Sequence, residues 1–169
     1  MPSRGKYRIL GIDPGSRATG YGVIEKNGNR LLFLTCGVIR VGNRSTFPER
    51  LLAIHDGLSE VIKEQGPIIA AVEDVFVANN PRSALKLGHA RGVAILAAMQ
   101  HGLIVYDYTP RLIKQAVVGY GNADKAQIQQ MVRVLLHLSA APSSDAADAL
   151  AVAICHANQL LVDGKPVKR

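Results

Sequence analysis

Four acidic residues occupy positions from which their carboxylates could act together. Asp13 ends a short apolar run, and Glu73 lies near the end of a later run rich in isoleucine, alanine and valine. Asp145 and Asp148 are three residues apart, a spacing that places both on one side of a helix. A charge at Asp148, among the small apolar residues of 146–153, is costly unless it is paired or binds a metal ion.

Taken singly, three of these acids have ordinary structural explanations. Asp13 begins Asp-Pro-Gly, a sequence typical of a turn. Glu73 precedes Asp74, and neighbours in a strand point to opposite faces, so Glu73 could end a strand in solvent. Asp145 could complement the dipole at a helix N-terminus. The residues alone leave these interpretations open.

If the four carboxylates converge, they form a metal site. Clustered carboxylates repel one another unless a cation neutralises them. Oxygen ligands suit Mg²⁺ or Mn²⁺ better than zinc. Two such ions, about 3.5–4 Å apart, can activate a water and stabilise the leaving oxygen in phosphodiester hydrolysis. The acids therefore predict metal-assisted phosphodiester chemistry.

The elements that must position these acids begin with strands in the first third of the chain. Three apolar runs are predicted as strands at 7–13, 20–25 and 31–41. Asn27-Gly28-Asn29 between the second and third runs is a hairpin signal, so these strands should form an antiparallel meander. Runs at 68–75 and 103–108 predict two further strands, reached by helical crossovers.

Helical spacing and capping signals predict helices in the rest of the chain. Thr46 with Glu49 forms a capping box before a helix that Gly66 ends. The later helices are predicted to start at Ser83, at Pro110, behind an Asn122 cap, and at 142–144, the last running to Val162. The order β-β-β-α-β-α-β-α-α-α indicates an α/β fold. We expect a five-stranded mixed sheet, three antiparallel strands then parallel crossovers, flanked by helices.

Composition favours a polyanionic partner. Twenty Lys and Arg against thirteen Asp and Glu give a net charge of +7, a balance typical of nucleic-acid binding. The longest apolar runs are seven residues, against about 20 for a spanning helix, so no membrane association is expected. Two cysteines and no signal-peptide pattern indicate a cytoplasmic protein. We expect one domain over 1–162 and a disordered basic tail over 163–169.

Motifs across most of the chain resemble those of the RuvC family of Holliday-junction resolvases. The opening Gly11–Arg17, followed by Thr19–Gly22, is similar to that family's first acidic motif. The later similarities are Glu73 with Val75-Phe76, Ser83–Gly88 followed by Ala90–Ala94, Val117–Gly119 with Asp124-Lys125, and Ser144–Ala151. Any one of these motifs is modest, but their order and spacing over about residues 8–157 make a strong signal.

The resemblance implies an RNase H-like fold and a homodimeric, Mg²⁺-dependent endonuclease. It implies paired, symmetrical nicks in opposing strands of a four-way DNA junction, and collaboration with the RuvA–RuvB branch-migration complex. By position, Asp13, Glu73, Asp145 and Asp148 would be the catalytic acids. They would bind two Mg²⁺ ions per subunit, with Mn²⁺ able to substitute.

The resemblance also implies DNA contacts. Lys114 and Lys125 would contact backbone phosphates near the scissile bond, and Phe76 would meet bases at the opened junction. The predicted DNA-binding set is completed by Arg82, Lys86, Arg91 and the loop aromatic Tyr120. A two-fold dimer offers two matching sites for two strands. The expected interface is the helix 83–100, with Ala84, Leu87, Gly88, Val93, Ala94, Leu96 and Ala97.

Three other functions fit parts of the pattern. Sugar kinases and actin-like ATPases also begin with Asp-x-Gly, but their fold needs two such domains and the expected domain is one. In a non-catalytic junction-binding module, four carboxylates would weaken DNA binding unless a metal neutralised them. An RNase H-type enzyme that cleaves RNA–DNA hybrids is the nearest alternative, and cleavage assays distinguish it.

Overall fold

The structure, a computed structural model, describes residues 5–74 and 80–163, with side chains as far as residue 159. Ten elements follow in the order predicted from the sequence. The strands are Tyr7–Asp13 (β1), Ala18–Asn27 (β2), Arg30–Arg40 (β3), Ile69–Glu73 (β4) and Ile104–Tyr108 (β5). The helices are Phe47–Gln65 (α1), Pro81–Gln100 (α2), Pro110–Val118 (α3), Lys125–Leu135 (α4) and Ser144–Asp163 (α5).

The strands form one mixed sheet in the order β3-β2-β1-β4-β5. The pairs β1–β2 and β2–β3 are antiparallel, and the pairs β1–β4 and β4–β5 are parallel. Only two residues, Gly28 and Asn29, connect β2 to β3, and Gly28 takes the left-handed conformation at φ 58° that a tight hairpin needs. The predicted α/β fold with a five-stranded mixed sheet is confirmed.

Helices cover both faces of the sheet. Even-numbered β1 residues such as Leu10 and Ile12 belong to a core shared with α1 and α2. On the other face, Ile9 belongs to a core shared with α3, α4 and α5. Because side chains alternate across a strand, every second residue of the sheet faces α5, and we call this side the α5 face.

Helix α5 lies unusually close to the sheet because small residues line both surfaces. A Cβ at Gly11 would come within 1.9 Å of the Ala149 carbonyl oxygen, and one at Gly20 within 2.1 Å of the Asp145 carbonyl oxygen. On the helix, Ala149 and Ala153 are fully buried. Glycine is therefore required at 11 and 20 to bring the start of α5 down onto the ends of β1 and β2.

Several predicted boundaries shift, each for a local reason. Helix α4 is capped by Asp124, not by Asn122, because Asp124 and Gln127 form a reciprocal capping box. Helix α2 begins two residues early, since the Asn80 side chain accepts hydrogen bonds from the Arg82 and Ser83 amides.

The C-terminal boundary also differs. Helix α5 includes Asp163, the first residue of the predicted tail, while 164–169 lie outside the described residues. Within the part of the chain that is described, no helix is both long and apolar enough to cross a bilayer.

A buried histidine on α5 makes stability depend on pH. His156 is 1% exposed, and its Nδ1 lies 2.6 Å from the Tyr108 hydroxyl. Burial, reinforced by the charge of Lys26, lowers the pKa of His156 from 6.5 to about 4. The unfolded chain therefore binds this proton at a higher pH than the folded chain does.

We expect the free energy of unfolding to fall by up to about 3 kcal/mol as pH falls from 6.5 towards 4, because His156 takes up a proton in the unfolded chain first. Urea unfolding of the wild type and His156→Gln at several pH values measures this, and the difference between the two proteins isolates the histidine. Parallel stability curves for both proteins over that range would contradict the prediction.

Candidate active site

The sheet brings two acids together at the carboxyl ends of its central strands. Asp13 ends β1 and Glu73 ends β4, and these strands are parallel neighbours in which Ile12 pairs with Val72. Gly11 faces α5, so Asp13, two residues on, faces α5 as well, and Glu73 does so through the same alternation from Ala71. A hydrogen bond joins the two side chains.

The first turns of α5 deliver the other two acids onto the same spot. Asp145 lies in the first turn and Asp148 follows one turn later. Carboxylate oxygens of Asp13, Asp145 and Asp148 lie within 4.8 Å of one another, and all three residues are half-buried. Asp13, Glu73 and Asp148 also line a cleft of about 280 Å³. The four predicted acids therefore converge.

Burial and mutual repulsion raise the pKa values of Asp13, Glu73 and Asp148. Burial is the largest cause that raises the pKa of both Asp13 and Glu73. The pKa of Asp148 rises from 3.8 to about 6, first through burial and then through the charge of Asp13, while Lys125 opposes the rise. A cation among these oxygens would displace the protons.

The donor set fits a hard divalent cation. Carboxylate oxygens are the ligands that Mg²⁺ and Mn²⁺ prefer, and the three aspartate oxygens lie close enough to share one ion. Glu73 stands beside Asp13 as a further oxygen donor. The residues present thus suit the metal that the sequence predicted.

We expect Mg²⁺ to raise the melting temperature, and to do so more at pH 8 than at pH 6. Because the folded pKa values are raised, the metal-free protein loses stability as pH rises through them, and bound Mg²⁺ relieves that repulsion. At a Mg²⁺ concentration ten times its Kd, the melting temperature should rise by about 4 °C. Thermal melts measure it, with Asp148→Asn as comparison. Equal Mg²⁺ shifts in both proteins at both pH values would contradict the assignment.

Two lysines line the same cleft as the acids. Lys114 comes from α3 and Lys125 from the first residue of α4, and both line the cleft. The Lys125 ammonium lies 3.8 Å from Asp148 Oδ2, yet its side chain is 75% exposed. Both amines could therefore turn from the carboxylates to a phosphate that enters the cleft.

Arg82, Lys86 and Tyr120, three further residues predicted to contact DNA, do not line the cleft that holds the acids. Arg82 and Lys86 are exposed on the first turns of α2, and the Lys86 ammonium lies 5.8 Å from the centre of the Phe47 ring. Tyr120 is 47% exposed in the loop after α3. Phe76 lies outside the described residues.

Arg91 is engaged within the protein. Its guanidinium pairs with Asp107 and lies 3.8 Å from Asp74 Oδ1, while its Nε donates to the Glu73 carbonyl at 3.3 Å. Asp107 is next to Tyr108, whose side chain is in the α5-side core, so this ion-pair group lies on the α1–α2 face. Arg91 thereby ties α2 to the end of β4, the strand that carries Glu73.

The sequence did not indicate that Arg91 would hold the end of β4 in place. Nor did it indicate that Gly11 and Gly20 would let α5 approach the sheet. Arg91 and its partners come from three distant segments, so no local spacing marks them. The glycines carried a usable signal. Gly11, Gly20 and Gly22 interrupt strands at alternate positions, a pattern typical of close backbone approach.

The fold and the site together define a class. A mixed sheet of this RNase H-like order, with acids at the carboxyl ends of β1 and β4 and on a helix above them, is the framework of a metal-dependent nuclease. The family model described as "Crossover junction endodeoxyribonuclease RuvC" matches residues 9–156. The chain belongs to the RuvC family.

Individual relatives agree with that assignment. The chain is 59% identical over 150 residues to crossover junction endodeoxyribonuclease RuvC of Citrifermentans bemidjiense, covering 89% of this chain and 92% of that protein. It is 58% identical over 151 residues to the RuvC protein of Cupriavidus necator, covering 89% and 83%.

Solved structures agree as well. The structure of T. thermophilus RuvC in complex with a Holliday junction substrate superposes with a TM-score of 0.84 at 37% identity, covering 89% of this chain and 93% of that one. A yeast mitochondrial Holliday junction resolvase, 16% identical with a TM-score of 0.65, shares the fold.

Proposed function

We propose that this protein is a Mg²⁺-dependent endonuclease that resolves four-way DNA junctions by paired nicks during recombination and repair. The observation that carries the proposal is the convergence of Asp13, Asp145 and Asp148, with oxygens within 4.8 Å, beside Glu73. Family membership and the junction-bound relative from T. thermophilus support DNA junctions as the substrate.

Four residues would hold the metal: Asp13, Glu73, Asp145 and Asp148. We propose two Mg²⁺ ions per subunit, with Mn²⁺ able to substitute. When bound, such ions supply an activated water and stabilise the leaving oxygen of the phosphodiester. The rigid ends of β1 and β4 hold two of the ligands, and the close approach of α5 fixes the other two.

The lysines at the cleft would hold the DNA backbone. Lys114 and Lys125 lie beside the acids, and their position supports contact with phosphates next to the scissile bond. We further propose that Arg82, Lys86 and Tyr120 contact the arms of the junction. Phe76 would stack on an unpaired base. Arg91 was also predicted to contact DNA, but its ion pairs with Asp107 and Asp74 favour a role in fixing β4.

A homodimer would give the paired cuts, and an exposed apolar stripe on α2 supports it. Of the residues predicted for this interface, Ala94 and Ala97 are fully buried against the subunit's own core and cannot contribute. The large apolar residues exposed on α2 are Leu96, which is in the predicted set, together with Leu85 and Met99, at 51%, 66% and 57% exposure. Exposed Gly88 and Gly92 lie along the same helix and permit close approach of a second copy.

We expect Leu96→Arg to convert the dimer to a monomer at micromolar concentration, because a charged side chain would be desolvated at the interface. Light scattering after gel filtration measures the mass. Val134→Arg is the matched control, since Val134 is 54% exposed on α4, which packs against the opposite face of the sheet. A wild type that runs as a monomer, or a Leu96→Arg variant that stays dimeric, would contradict this interface.

Membership of the RuvC family supports a proposal for the cellular setting. We propose that the protein acts in the cytoplasm, where it works with the RuvA–RuvB branch-migration complex on recombining DNA. Its net charge of +7 supports association with DNA.

Substrate choice tests the proposal. The protein is incubated with a synthetic four-way junction, a linear duplex of the same sequence and an RNA–DNA hybrid, with Mg²⁺ or with chelator. We expect nicks in the junction alone, at symmetrical positions on opposing strands, and only with Mg²⁺. Cleavage of the hybrid alone would identify an RNase H-type enzyme instead. Binding without cleavage in Mg²⁺ and in Mn²⁺ would leave only a binding module.

A further inference from the structure

We infer that Arg91 is a positioning residue whose guanidinium sets the metal affinity of the active site. It does so by completing the hydrogen bonding of the Glu73 backbone, which fixes the place from which the Glu73 carboxylate reaches the cluster. The inference rests on the proposed function, since it takes Glu73 to be a ligand of the metal. It goes further by making metal affinity depend on a side chain of α2, a helix on the opposite face of the sheet from the acids.

Glu73 ends β4 with strand pairing on one side only. On the β5 side it pairs with Tyr108, and the Asp74 amide donates to the Tyr108 carbonyl oxygen at 2.8 Å. On the β1 side the pairing stops one residue earlier, at Ile12 and Val72. A strand end that is paired on one side is less constrained than one paired on both, and a metal ligand must be held firmly to bind well.

Arg91 takes the place of the missing strand partner. Its Nε donates to the Glu73 carbonyl oxygen at 3.3 Å. That carbonyl and the Asp74 amide belong to one trans peptide, so they point in opposite directions. The peptide is therefore held at one edge by Arg91 and at the other by the Tyr108 carbonyl. This fixes the backbone from which the Glu73 side chain departs.

Two carboxylates keep the guanidinium in that position. It forms an ion pair with Asp107 of β5 and lies 3.8 Å from Asp74 Oδ1. The Arg91 side chain is only 21% exposed. Its planar group of donors joins α2, β4 and β5 at one point, a geometry that a lysine ammonium cannot reproduce.

The same strand end is also tied to the helix that carries the other acids. Tyr108 is 4% exposed, and its hydroxyl lies 2.6 Å from Nδ1 of His156 on α5. The backbone contacts of Glu73 therefore place it relative to Asp145 and Asp148, which α5 also carries. Loss of the Arg91 contact would loosen Glu73 relative to those acids. Residues that orient a metal ligand typically change metal affinity by about 10–100-fold.

Mn²⁺ binding without DNA tests the inference, because electron paramagnetic resonance distinguishes free from bound Mn²⁺. The variants are Arg91→Gln and Asp107→Asn. The second is a milder change, since the Asp107 side chain is 57% exposed. Arg50→Gln is the matched control, because Arg50 Nε also donates to a backbone carbonyl at 3.3 Å, that of Ser45 before α1. Urea unfolding checks that each protein is folded.

We expect Arg91→Gln to bind Mn²⁺ roughly tenfold more weakly, and to need about tenfold more Mg²⁺ for half-maximal junction cleavage. The maximal cleavage rate should stay close to that of the wild type. Asp107→Asn should shift both values in the same direction by less, and Arg50→Gln should match the wild type. Junction affinity in chelator should be the same in all four proteins.

An Arg91→Gln protein that binds Mn²⁺ as tightly as the Arg50→Gln control would overturn the inference. If that protein also bound the junction more weakly in chelator, Arg91 would be a DNA contact instead. A wild type that binds Mn²⁺ but leaves the junction intact would overturn the proposed function, while the Mn²⁺ comparison would still decide the role of Arg91.

Discussion

Replacing Asp13 by asparagine should slow junction cleavage about 1000-fold while leaving junction binding intact. Asp13 lies at the centre of the site. Its side chain is hydrogen-bonded to Glu73, and its carboxylate oxygen lies within 4.8 Å of those of Asp145 and Asp148. Asparagine keeps the shape but removes a charged metal ligand. A loss of about 4 kcal/mol in transition-state stabilisation corresponds to that factor.

Single-turnover cleavage at saturating protein measures the Asp13 effect, and anisotropy measures binding separately. Asp56→Asn is the matched control, because the Asp56 side chain is 67% exposed on α1, away from the cluster. The control should cleave at the wild-type rate. An Asp13→Asn protein that cleaves within tenfold of wild type would remove Asp13 from the metal site.

The largest expected effect on stability comes from Gly11→Ala. The new Cβ would lie 1.9 Å from the Ala149 carbonyl oxygen and 2.9 Å from the Ala153 amide nitrogen, both backbone atoms of α5 that no side-chain rotation can move. The helix must shift, so we expect a loss of about 3 kcal/mol or more in the free energy of unfolding. The same shift would carry Asp145 and Asp148 away from Asp13 and depress cleavage.

Urea unfolding measures the Gly11 effect. Gly42→Ala is the matched control, since a Cβ at Gly42 would meet only the Ser45 hydroxyl oxygen, at an ordinary 3.7 Å. Its unfolding free energy should stay within about 0.5 kcal/mol of wild type. A Gly11→Ala protein as stable as this control would mean that α5 packs less closely on β1 than the structure shows.

The features predictable from the sequence were those set by short-range chemistry. The hairpin at Gly28-Asn29 and the capping box of Thr46 with Glu49 each depend on residues close together in the sequence. Both are present as predicted. Hydrophobic patterning gave the element order, and the order gave the mixed sheet. The convergence of Asp13 and Glu73 followed, because parallel neighbours end at the same edge.

The features that could not be predicted depend on packing between distant segments. Helical spacing showed that α2 has an apolar side, but not that Ala94 and Ala97 would be buried while Leu85, Leu96 and Met99 stayed exposed. The ion pairs of Arg91 required the positions of both β4 and β5. At α4 the cap is Asp124 and not the predicted Asn122, because Asp124 and Gln127 bond reciprocally.

We propose that the carboxylate cluster is the metal-dependent active site of a junction nuclease. Its most direct test is the single-turnover cleavage rate of a synthetic four-way junction as a function of Mg²⁺ concentration, with both cut strands mapped on denaturing gels. We predict no cleavage in chelator, a rate that rises with Mg²⁺ to a plateau, and paired cuts at symmetrical positions. Cleavage that persists in chelator, or a junction that stays bound and intact at saturating Mg²⁺ and Mn²⁺, would contradict the claim.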